Sequence, residues 1–165
     1  MGATRSGVRR GWTGRTASPA GCLTALGAVP SAANAARGSG VTGTVLAQGS
    51  SDKPLRIKPP KGSTDVIVRT ITVAPGGSTG WHHHPGQLIA VVKSGTLTRT
   101  LADCSVETTP AGTTFIEPAG HEHRHIGRNL GSEPVVLYVT YLLPAGAPLS
   151  VDEDAPAGCG NVTAE

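Results

Sequence analysis

The chain has 165 residues, enough for one compact domain but short for two, and only Trp12, Trp81, Phe115, Tyr138 and Tyr141 are aromatic, so a core must come mainly from Val, Ile and Leu. Its formal charge of +3 belongs to the leader: Arg5, Arg9, Arg10 and Arg15 precede the first carboxylate at Asp52, and from Ala36 onward ten Lys plus Arg stand against eleven Asp plus Glu, a net of −1. This balance leaves no basic footprint for nucleic acid, and the apolar run of the leader is too short and too polar to span a membrane.

Residues 1–35 read as a secretory signal: an arginine-rich start, a modest apolar run over residues 17–29, and Ala33-Asn34-Ala35 as a small-x-small site with cleavage after Ala35. The alternative is a disordered cytosolic tail or a start codon placed too early. Cleavage would remove Cys22 and leave Cys104 and Cys159. Those two either bridge, pinning the C-terminal segment in an oxidising compartment, or stand as two surface thiols. The expected location is secreted or extracytoplasmic.

From Val41 short β-type runs alternate with turn residues. Strands are expected at Thr44 to Gln48, Asp65 to Val73, Gln87 to Lys93, Thr96 to Leu101, Thr113 to Glu117 and Val135 to Leu143. Pro75-Gly76-Gly77, Pro85-Gly86, Ser94-Gly95 and Pro110-Ala111-Gly112 separate them. No run of the body reads as a helix. Many short strands at this spacing predict an all-β antiparallel sandwich or barrel over residues 36–143, followed by a Pro/Gly/Asp-rich tail over residues 144–165.

All six histidines fall in two short segments. In a strand His82 and His84 share a face while His83 points away, and if His121 to His125 is extended, His121, His123 and His125 also share one face. Imidazole nitrogen suits zinc, copper, iron or nickel, and three protein ligands leave positions open for water or substrate. The plain alternative is a polar histidine loop.

These segments resemble the two motifs of the cupin family. The first reads G-x5-H-x-H-x3,4-E-x6-G, and Gly76, His82, His84 and Gly95 fall at its intervals; its Glu is replaced by Leu88, with Gln87 one place earlier. The second reads G-x5-P-x-G-x2-H-x3-N, and Gly112, Pro118, Gly120 and His123 fit, while Asn129 comes two places late. The resemblance implies a cupin antiparallel β-barrel, or jelly roll, in which His82, His84 and His123 hold one divalent transition metal (Fe, Zn, Mn, Ni or Cu). Without the Glu such a site carries more positive charge and a more Lewis-acidic metal. Gln87 is a further candidate ligand if a bulge turns it inward; regular alternation turns it outward.

His121 and His125 are the candidate catalytic bases or pocket residues, and Glu117 either orients a ligand imidazole or is a plain surface carboxylate. Two classes of function follow. One is a metal-dependent, dioxygenase-like oxidoreductase, or a lyase or isomerase, acting on a small organic molecule. The other is a non-catalytic extracytoplasmic module that binds metal or a small ligand. A barrel whose histidines are relics is a third reading. Family resemblance also suggests a homodimer through the outer strands.

Overall fold

The computed structural model describes residues 39–159; the signal sequence expected over residues 1–35, with its cleavage site, lies outside them. The chain divides at Val41, and the unit that follows holds every strand described. Its strands are β1 (Thr64–Val73), β2 (His82–His83), β3 (Gln87–Ser94), β4 (Thr96–Leu101), β5 (Val106–Pro110), β6 (Thr114–Glu117), β7 (His125–Arg128), β8 (Val135–Pro144) and β9 (Val151–Asp152), with one 3-10 turn at His121–His123. They form two sheets, a four-stranded one in the order β1-β8-β3-β6 and a five-stranded one in the order β5-β4-β7-β2-β9, with every ladder antiparallel. The all-β jelly roll expected from the sequence is the fold that forms.

The two sheets contribute unequally to the interior. Along β8 burial alternates strictly, so Val135, Leu137, Val139, Tyr141 and Leu143 point inward. Leu88, Ala90 and Val92 of β3 join them, and the four-stranded sheet supplies almost the whole apolar core. The five-stranded sheet buries Leu97 and otherwise mostly polar groups, among them His82, Arg99 and His125. A greasy wall therefore faces a polar one, and the histidines lie between.

Three expectations change. Thr44 to Gln48 forms no strand, because β-propensity alone makes no ladder and this segment pairs with no neighbour. Ser50 bridges to Thr113 at the sheet edge, while Val45 and Leu46 stay exposed. Residues 121–123 turn instead of extending, with His123 N donating to Gly120 O at 3.0 Å and Arg124 N to His121 O at 3.2 Å. Beyond Pro144 the chain returns to the sheet: β9 pairs with β2, and a Cys104–Cys159 disulfide ties its end to the β4–β5 turn. That bridge closes a separation of 55 residues, which removes freedom from the unfolded chain.

Gly86 fixes the exit from β2. A Cβ there would stand 2.0 Å from Leu142 O and 2.8 Å from Leu143 Cα, both backbone atoms of β8. Gly86→Ala is expected to lower the unfolding free energy by roughly 2 kcal/mol or more, read from a denaturant titration. An unchanged midpoint would show that the turn moves freely away from β8.

Candidate metal centre

His82 is the direct cross-strand partner of His125, and His84 lies two residues further along the same face. All three are buried, and their ligand nitrogens lie within 4.8 Å of one another. Each Nδ1 is held by a backbone carbonyl: His82 by Gly80 O at 2.9 Å, His84 by Leu149 O at 2.6 Å and His125 by His123 O at 2.9 Å. A carbonyl can only accept, so each Nδ1 carries the proton and each Nε2 keeps a lone pair for a ligand bond. This is the orientation that a metal-binding imidazole requires. The buried His125 Nε2 finds no hydrogen-bond partner among the described residues.

Glu117, at the end of β6, enters the same space. Its Oε2 lies 3.1 Å from His84 Nε2 and 3.2 Å from His125 Nε2. Its Oε1 accepts from Arg99 Nη1 at 3.3 Å, while Arg99 Nη2 reaches Glu107 at 2.5 Å and the guanidinium stacks 3.7 Å from the Phe115 ring centre. Burial alone would raise the Glu117 pKa, but contacts with His125 and His84 and the Arg99 charge hold it well below the usual carboxylate range. Desolvation lowers the His82 pKa. Desolvation also acts to lower His125, yet the neighbouring Glu117 carboxylate outweighs it and raises the value.

The histidine that completes this cluster is His125, where the second motif points to His123. The 3-10 turn explains the difference. It leaves His123 half-exposed, 3.9 Å from Glu122, and the two residues it takes up carry the motif's pattern onward. His125 and Asn129 keep the H-x3-N spacing. Asn129 is buried and its amide donates to Val73 O and Glu133 O. The late position of Asn129 was the sequence signal for His125.

Gln87 is also accounted for by local bonding. Its Oε1 accepts from Lys58 N at 2.6 Å and its Nε2 donates to Arg56 O at 3.1 Å, so the amide clasps the extended segment before β1 and takes no place beside the histidines. Of the two candidate bases, His125 sits in the cluster itself. His121 lies with His83 on Glu153, whose Oε1 is 2.6 Å from His121 Nδ1 and 2.7 Å from His83 Nδ1. That second grouping ties the 3-10 turn, β2 and the segment after β9 together.

Two spaces meet at Glu117 and His125. One is a cavity of about 50 Å³ between the sheets, lined by the three histidines, Leu88, Leu97, Phe115 and Tyr141 among others. The other is an open cleft of about 370 Å³ bordered by Arg99, Leu101, Glu107, Glu122 and His123. Tyr141, which the sequence did not single out, faces the His84 ring at 5.6 Å, and desolvation raises its pKa, keeping the phenol neutral.

Residues 69–141 match the family model of the cupin domain. Over that stretch the chain is similar to the cupin family. The matched stretch runs from within β1 into β8 and includes His82, His84, Glu117 and His125. Among solved structures, the chain is similar to an uncharacterized conserved protein with a double-stranded β-helix domain from Klebsiella pneumoniae, at 25% identity and TM-score 0.46 over 59% of this chain and 91% of that one. It is also similar to the DMSP lyase DddQ of Ruegeria pomeroyi, at 17% identity and TM-score 0.48 over 55% of this chain and 44% of that one. A third is an oxalate oxidase in complex with the substrate analogue glycolate, at 26% identity and TM-score 0.45 over 52% and 45% of the two chains. The chain thus spans less than half the length of the lyase and of the oxidase. No curated protein matches it.

The tautomers give a prediction for the metal-free protein. Nitrogen-detected NMR of the neutral imidazoles is expected to show Nδ1–H and bare Nε2 at His82, His84 and His125. On acidification His125 should gain its second proton above pH 6.5 and His82 only below it, following their raised and lowered pKa values. An Nε2–H tautomer at any of the three would contradict the geometry.

Proposed function

We propose that the domain holds one divalent transition metal on the Nε2 atoms of His82, His84 and His125 and presents it to a small organic molecule in the adjoining cleft, as an oxygenase, lyase or isomerase. The observation that carries this reading is the set of three Nδ1-to-carbonyl hydrogen bonds, which leaves each Nε2 lone pair free in a cluster whose ligand atoms lie within 4.8 Å of one another. Imidazole donors beside a carboxylate suit Fe, Zn, Mn, Ni or Cu. Such a metal supplies Lewis acidity or redox chemistry to whatever binds next to it.

The chain's own residues have definite tasks in this reading. The cleft gives a small molecule access to the side of the cluster formed by Glu117 and His125. Arg99 keeps Glu117 ionised and in place, because its guanidinium is already divided between Glu117 and Glu107. On the other side the apolar walls of the small cavity keep bulk water from the histidines. The Tyr141 ring stands against His84 on that side, its phenol kept neutral by burial.

Export belongs to the same proposal. A Cys104–Cys159 bridge is chemistry of oxidising compartments, and the leader carries a cleavage pattern ending at Ala35. Protein recovered from outside the cytoplasm is expected to have an intact mass beginning at Ala36 and to carry close to one equivalent of metal by elemental mass spectrometry. His82→Ala/His125→Ala should lose the metal and His123→Ala should keep it. Turnover or oxygen uptake that stops on chelation would identify an enzyme; retained metal without either would leave a binding module. Loss of metal in His123→Ala, with retention in the double variant, would overturn the assignment.

A further inference from the structure

We propose that Glu117 is a fourth ligand of this metal and takes over the role of the carboxylate that the first cupin motif carries at the position of Leu88; the inference rests on the metal centre proposed above. The register of the sheet makes the exchange a short one. Leu88 of β3 and Glu117 of β6 are direct cross-strand partners, and both line the cavity that holds the three histidines. Side chains so paired stand on the same face with Cβ atoms about 4.5–5.5 Å apart, so a carboxylate lost from one strand is replaced from the next at nearly the same depth.

The contacts of Glu117 with two of the three histidines have the spacing of ligands around one ion. Metal bonds of about 2.0–2.2 Å place neighbouring donors roughly 3–3.5 Å apart. Glu117 Oε2 stands 3.1 Å from His84 Nε2 and 3.2 Å from His125 Nε2. Hydrogen bonding does not explain this approach in the neutral tautomers. Both imidazoles spend their Nδ1 proton on a backbone carbonyl, which leaves a nitrogen lone pair facing a carboxylate oxygen. Two acceptors at that distance repel unless a metal ion or a proton on the imidazole lies between them. Glu117 is buried, so water does not screen the repulsion.

The remaining oxygen is already committed. Oε1 lies on Arg99 Nη1, which aims Oε2 at the histidines. A guanidinium on one oxygen and a metal on the other is how outer partners orient a ligating carboxylate. The electrostatic result differs from that expected for three histidines alone: Glu117 cancels one unit of the ion's charge, and the centre is less Lewis-acidic than the absence of Glu at position 88 suggests.

Cobalt(II) added to the metal-free full chain tests this, with the visible ligand-field spectrum and zinc competition as readouts. Glu117→Gln is expected to bind cobalt with a changed spectrum and to lose affinity by at least about tenfold. Glu133→Gln, an exposed carboxylate away from the histidines, should keep the parent spectrum. A Glu117→Gln spectrum identical to the parent's would overturn the inference and leave the three-histidine centre standing. No cobalt binding by the parent would instead remove the metal centre itself. A second measurement needs no variant: zinc loading of the parent should displace a carboxylate band in the infrared difference spectrum, and an undisturbed carboxylate region would count against Glu117.

Discussion

Three buried imidazoles gather between the two sheets with a carboxylate oxygen against two of them, and in the neutral tautomers that arrangement brings acceptors together, which a metal ion or a proton on an imidazole relieves. The constraint is set by backbone carbonyls. Gly80, Leu149 and His123 each take the Nδ1 proton of one histidine, so the tautomers follow from the path of the chain. Two of these carbonyls sit two residues from the histidine they hold, and the third, Leu149, comes from the returning C-terminal segment. The site is therefore complete only when that segment lies in place, between the end of β8 and the Cys104–Cys159 bridge.

The inequality of the sheets serves the same end. The four-stranded sheet brings the apolar wall, with Val, Leu and Tyr141 alternating along β8, and burying each such side chain contributes about 1.5–3 kcal/mol. This reserve lets the five-stranded sheet carry His82, His125 and Arg99 inward, where each needs a partner. Glu117 joins the two walls. It belongs to β6 of the apolar sheet, yet its oxygens reach Arg99 and the histidines of the polar one. In this way the small inner cavity and the open cleft share a boundary of Glu117 and His125.

Much of the architecture was legible in the chain. The runs that became β1, β3, β4, β6 and β8 have the β-branched content and turn residues that mark strands, and His82 and His84 share a face as alternation requires. β2, β5, β7 and β9 escaped because they are short and polar, and exist through pairing with neighbours and not through their own composition. The position of His125 was half-visible. Treating His121 to His125 as one extended stretch hid the 3-10 turn, although the two-residue delay of Asn129 recorded it. Glu117 was weighed only as an orienting or surface group, since its contact with His84 and His125 depends on register between strands far apart in sequence. Gln87 looked available as a ligand because nothing in the local sequence shows that its amide is taken by the backbone of Arg56 and Lys58.

The most direct test of the centre is anomalous diffraction at the zinc edge from crystals of the zinc-loaded protein. A single strong peak about 2.0–2.1 Å from the Nε2 atoms of His82, His84 and His125 is the predicted result. A peak on His123, or no ordered peak between the sheets, would contradict it.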